Sequence, residues 1–135
     1  MTSSSAFDQL LSAAAAQPEP QRLLFVFTGA ELPQDATPAQ RARFDAGQGG
    51  ALEPLACVDK ELHELTSFEA LVAEARQATP AWQVLFIAAL SGEAGQPPSN
   101  ERVDSALGRM VEGVRTGRLN EYLALDPQGD SVVFG

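Results

Sequence analysis

TPAQRARFDAGQGGALEPLACVDK, Thr37–Lys60, is the stretch whose reading decides the fold. Its first half carries helix signals. Thr37 is a good N-cap, Pro38 suits the first helical position and Gln40 completes a capping box. Arg41, Arg43 and Phe44 follow, and Gly47 is well placed as a left-handed residue closing a short helix. Its second half, Leu52–Val58, reads as a strand. Pro54 cannot donate a ladder hydrogen bond, so this strand is an edge or is bulged near Pro54. A helix between two strands implies a crossover and a parallel pair. If the Thr37 segment is only a turn, the first two strands pair antiparallel and the fold becomes α+β.

Upstream, Ser4 or Ser5 caps a helix running to about Ala16, with Phe7, Leu10, Leu11 and Ala14 as its apolar stripe. Pro18 and Pro20 stop it. Leu23–Phe27 is five apolar residues in a row, the pattern of a strand covered on both faces. Thr28–Asp35 reads as a loop.

Downstream, Thr66–Glu69 forms a second capping box, opening a helix to about Ala78. Trp82–Leu90 is the most apolar stretch and reads as the central strand. Ser91–Pro98 reads as a flexible loop. Ser99 or Asn100 caps a last helix to about Thr116, closed by Gly117. Glu121–Leu125 and Ser131–Phe134 flank a turn at Pro127–Asp130 and read as a hairpin. The expected fold is a single α/β domain over residues 1–135. It has three layers and a mostly parallel sheet, with a C-terminal antiparallel hairpin. The alternative is α+β with a mixed sheet.

Composition narrows the function classes. The 135 residues carry 18 acidic and 9 basic side chains, a formal net charge of -9. That charge opposes a phosphate backbone, so no nucleic-acid partner is expected. The acids Glu53, Asp59, Glu61, Glu64, Glu69 and Glu74 cluster mid-chain, as a solvated face or as a docking face for a basic partner. No apolar run reaches the ~20 residues of a membrane span. No basic segment precedes the first apolar residues, so a cytoplasmic protein without a membrane partner is expected.

Gly47–Gly50 superficially suggests a phosphate loop. However, the glycines run from helix into strand, and the P-loop lysine and hydroxyl are missing. A helix C-cap followed by a turn is the better account. Cys57 is the one cysteine and His63 the one histidine. One cysteine permits neither an internal disulfide nor a cysteine-rich metal site, and no metal or other cofactor is expected. Cys57 is expected to be a buried packing residue, with a reactive thiol, paired with His63 or not, as the alternative.

In a parallel sheet, ligands bind beyond the carboxyl ends of the strands. That rule collects Thr28, Glu31, Asp59, Lys60, His63, Ser91, Ser99 and Asn100 into one candidate ligand rim, together with Glu93. Backbone amides opening the last helix would hold an anion there, with Lys60 and Arg102 nearby. No catalytic constellation stands out in the rim.

Gln17–Phe27, Glu31–Lys60, Trp82–Gly92 and the C-terminal LALDPQGDSVVFG together resemble a group of small bacterial proteins often labelled ribonucleotide reductase subunit alpha. Ala36–Lys60 is the most specific part. The resemblance implies no activity. Ribonucleotide reduction uses a subunit of many hundreds of residues and several cysteines, which a 135-residue chain with one cysteine does not supply. The functional expectation is therefore a non-catalytic interaction or regulatory module, with a protein as partner. The alternative is a small-ligand protein, or a small hydrolase or transferase, using the rim.

Overall fold

The computed structural model describes residues 5–31, 37–45 and 51–133, with the backbone alone at 30, 31, 43–45 and 51. In chain order the elements are α1 (Ala6–Ala15), β1 (Gln21–Glu31), α2 (Pro38–Asp45), β2 (Ala51–Glu61), α3 (Phe68–Ala78), β3 (Val84–Ser91), α4 (Asn100–Arg115) and β4 (Leu123–Leu125). Short 3-10 turns at Leu62–Glu64 and Leu119–Glu121 follow β2 and precede β4. The strands form one sheet in the order β2-β1-β3-β4.

β1 is an inner strand, as its apolar run requires. Leu23, Phe25 and Phe27 point to one face, where Phe7 and Ala14 of α1 and Leu71 and Ala75 of α3 bury them. Leu24 and Val26 point to the other, against Val103, Ala106, Met110 and Val114 of α4. Alternate side chains of a strand face opposite ways, so a continuous apolar run needs helices on both sides. Three of the helices start on serine caps. The Ser5, Ser67 and Ser99 hydroxyls accept the amides of Asp8, Ala70 and Arg102 at 3.1, 3.0 and 3.2 Å. The α3 cap is thus Ser67, one residue after Thr66.

Every strand pair is antiparallel: β1 with β2, β1 with β3, and β3 with β4. This overturns the mostly parallel α/β sheet that the alternating elements imply. It also overturns the mixed sheet of the alternative. The fold is α+β. The cause lies in α2. The capping box forms: the Thr37 amide donates to Gln40 Oε1 at 2.9 Å, and the Gln40 amide donates to Thr37 Oγ1 at 3.1 Å. Yet residues 37–42 are all exposed. A crossover helix must bury an apolar stripe on the sheet. α2 has no such stripe, so it decorates the connection of a long hairpin. β1 and β2 pair from Arg22–Glu61 to Glu31–Ala51. β2 is an edge strand, and its ladder slips by one residue at Leu55, beside Pro54. A proline belongs at such a place.

The Ser91–Pro98 loop is a tight turn. Glu93 and Gln96 exchange backbone hydrogen bonds at 3.0 and 2.9 Å around Ala94 and Gly95, whose φ angles are 53° and 77°. Two positive φ values define the turn type that matches strand twist, and Gly95 adopts it without strain. Near the C-terminus the hairpin is reduced to a single bridge, Leu125 with Ser131. No helix among the described residues is long and apolar enough to cross a membrane.

Candidate functional site

Antiparallel pairing splits the expected rim. β1 runs one way and its neighbours the other, so the end of β1 lies with the start of β2 and β3. Thr28 and Glu31 therefore stand at one end of the sheet. Asp59 and Lys60 near the end of β2, His63 just past it and Ser91 at the end of β3 stand toward the other. Along β1, four residues (about 13 Å) separate Thr28 from Leu24, the partner of Asp59, and seven (about 23 Å) separate it from Gln21, the partner of Ser91. Thr28 is fully buried and donates to the Val84 carbonyl at 2.8 Å. The Glu31 side chain lies outside the described residues, as does the Gly47–Gly50 turn.

At the second end, the remaining residues meet mainly each other. Arg22 Nη2 lies 2.6 Å from Asp59 Oδ2, and Nη1 lies 3.7 Å from Glu61 Oε1. His63, with a side chain 76% exposed, places Nδ1 3.2 Å from Glu61 Oε2. The Glu61 amide donates to Glu64 Oε1 at 2.9 Å, and this backbone bond is the main cause holding the Glu64 carboxyl below its usual range. Ser91 Oγ accepts from the buried Gln21 Nε2 at 2.7 Å. An open recess of 360 Å³ lies here, lined by Pro20, Gln21, Glu61, Leu62, His63 and Pro97. Its lining is mostly apolar, and no hydroxyl in it faces the imidazole.

Lys60 lies on the other face from Asp59 and Arg22, near Glu64. It stands opposite Leu23, on the α1–α3 face, and its ammonium lies 3.1 Å from Glu74 of α3. Ser99 and Asn100 open α4, which packs on the other face. The lysine and the helix N-terminus expected to grip one anion are thus on opposite sides of the sheet, and the Ser99 hydroxyl already takes the Arg102 amide. Glu61, His63 and Glu64 bring three potential ligand atoms within 4.8 Å of one another, a grouping that the sequence reading did not contain. Their exposure and their bonds to backbone and to each other give them an ordinary structural role.

Cys57 corrects a second expectation. It is exposed, not buried. It sits opposite Val26, on the α4 face, and the edge position of β2 leaves it uncovered. Partial desolvation pushes its thiol pKa up, and the Arg115 guanidinium offsets this in part. His63 lies past the end of β2, whose four residues from Cys57 to Glu61 alone span about 13 Å. The two do not form a nucleophile–base pair.

The sequence reading marks β2 as an edge or as bulged at Pro54, and misses what the edge offers. Among the described residues no strand pairs with the outer side of β2. The opposite edge, β4, is three residues long and is partly covered by Ser131 and by the Val132 amide, which donates to the Ala124 carbonyl at 2.9 Å. Beside β2, on the α3 face, runs an apolar groove of 180 Å³. The signal was present in Pro54, which marks an edge, but the parallel topology hid what that edge offered. No protein-family description, curated protein or solved structure matches the chain.

Proposed function

We propose that the protein is a non-catalytic interaction module that receives an extended segment of a protein partner along β2. The observation that carries this reading is the outer side of an eleven-residue strand, with which no strand among the described residues pairs, next to an apolar groove. An unpaired strand edge presents a row of backbone donors and acceptors, which a partner strand satisfies. The pairing of the rim's charges within the chain supports the same reading over an enzyme.

Cys57 is a reporter placed on that edge. In the folded protein a maleimide is expected to reach it, at a rate that climbs as pH rises toward its elevated pKa, because only the thiolate reacts. A bound extended segment should slow that labelling, whereas a ligand in the recess at His63 should leave it unchanged. A binder that occupies the recess and leaves the labelling rate unchanged would contradict the module reading in favour of a ligand rim.

A further inference from the structure

Resting on the docking edge just described, we propose that its occupant is a short extended segment in which apolar residues alternate with lysine or arginine. The register of β2 sets this pattern. Ala56 and Val58 stand opposite Phe27 and Phe25 and share their face, toward α3. Cys57, Asp59 and Glu61 face the other way, toward α4. A strand laid along β2 sends every second side chain to each of these faces.

On the α3 face those side chains meet the groove lined by Ala56, Val58, Leu71, Glu74, Ala75 and Ala78. Five of these six are apolar, so the groove suits an apolar side chain. On the α4 face the segment runs beside Asp59 and Glu61. Arg22 is the cation that meets both, and it is closer to Asp59, at 2.6 Å, than to Glu61, at 3.7 Å. Lys60 is already held by Glu74. Arg115 of α4 lies near Cys57 on the same face, so the negative excess that a partner meets is that of the whole chain, net -9. Basic residues at the alternate positions complement it. The slip at Leu55 makes Ala56–Glu61 the regular part of the edge, so the segment is short.

A second copy of the chain fits less well. The two chains bring a net charge of -9 each, and that repulsion opposes edge-to-edge pairing of two copies.

The experiment uses the full chain and a short peptide alternating lysine and valine. Comparison peptides are a glutamate–valine version and a lysine–valine version N-methylated at alternate residues. Fluorescence anisotropy reads affinity, and amide chemical shifts read position. The lysine–valine peptide is expected to bind and to shift the amides of Ala56–Glu61. N-methylation keeps the charge but removes backbone pairing, and should weaken binding about tenfold or more. Ala78→Phe, at an exposed helix end, should fill the groove and weaken binding similarly. Equal binding of the N-methylated peptide would show charge attraction alone and overturn both the segment and the docking edge. Equal binding of the glutamate–valine peptide on Ala56–Glu61 would keep the edge and overturn the basic pattern. A dimer in sedimentation, with β2 amides protected without peptide, would make a second copy the occupant and overturn the proposal. Absence of binding by every peptide at millimolar concentration would overturn the proposal as well.

Discussion

Phe86→Ala should cost about 3–5 kcal/mol of stability. Phe86 is fully buried in the middle of β3. It stands opposite Val26 of β1 and Ala124 of β4, and joins Val103, Ala106, Met110 and Val114 in the core beneath α4. The substitution removes a ring's worth of apolar contact and leaves a cavity between two strands and a helix, which close-packed neighbours refill only in part. Small domains have roughly 5–15 kcal/mol in total. A urea titration should therefore show a midpoint shifted far down, or a variant already unfolded in buffer. A midpoint within the error of the parent would mean that β3 is not between β1 and β4.

Gly92→Ala should be the next most damaging change, although a single methyl is added at a surface turn. A Cβ at Gly92 would lie 1.8 Å from the Gln96 carbonyl oxygen and 2.8 Å from its carbon. These are backbone atoms of the tight turn around Ala94 and Gly95, so no side chain can swing aside. Gly92 also donates its amide to the Pro20 carbonyl at 2.8 Å, and the Gly95 amide reaches Glu19 Oε2 at 2.8 Å. Opening the turn would strain both links between the β3 end and the start of β1. A loss of about 1–3 kcal/mol, or somewhat more, is expected from such overpacking. Gly95→Ala offers the comparison, because the space around Gly95 is open and its cost comes from φ 77° alone. If Gly92→Ala melts like the parent, the Glu93–Gln96 turn is not closed as described.

Much of the chain was legible residue by residue. The serine caps, the two-faced run Leu23–Phe27 and the amphipathic stripe of α4 are local patterns, and local physics forms them. Strand direction is not local. A capping box at Thr37 states where a helix begins, and says nothing about whether that helix crosses the sheet. The deciding signal was the lack of an apolar stripe in Pro38–Asp45. That single reading moved everything else. With β2 antiparallel to β1, Thr28 and Glu31 part from Asp59 and Ser91, and the rim dissolves into two ends. Lys60 and Asp59, adjacent in sequence, fall on opposite faces, the first to Glu74 and the second to Arg22. Cys57 looked apolar by its neighbours Ala56 and Val58, but strand alternation turned it away from the core they join. Pro54 carried the most transferable information, because a missing donor is meaningful in either topology.

The central claim is that β2 pairs with β1 on one side and, among the described residues, with no strand on the other. Amide hydrogen exchange along β2 of the free protein tests it most directly. In an antiparallel edge strand, alternate amides point into the ladder and out of it. From Ala56 to Glu61, slow and fast exchange should therefore alternate residue by residue, while β1 is slow across Arg22–Phe27, where it is paired on both sides. Uniformly slow exchange across Ala56–Glu61 would show that the edge is already covered, and uniformly fast exchange would show that β2 does not pair with β1. Either result would contradict the account.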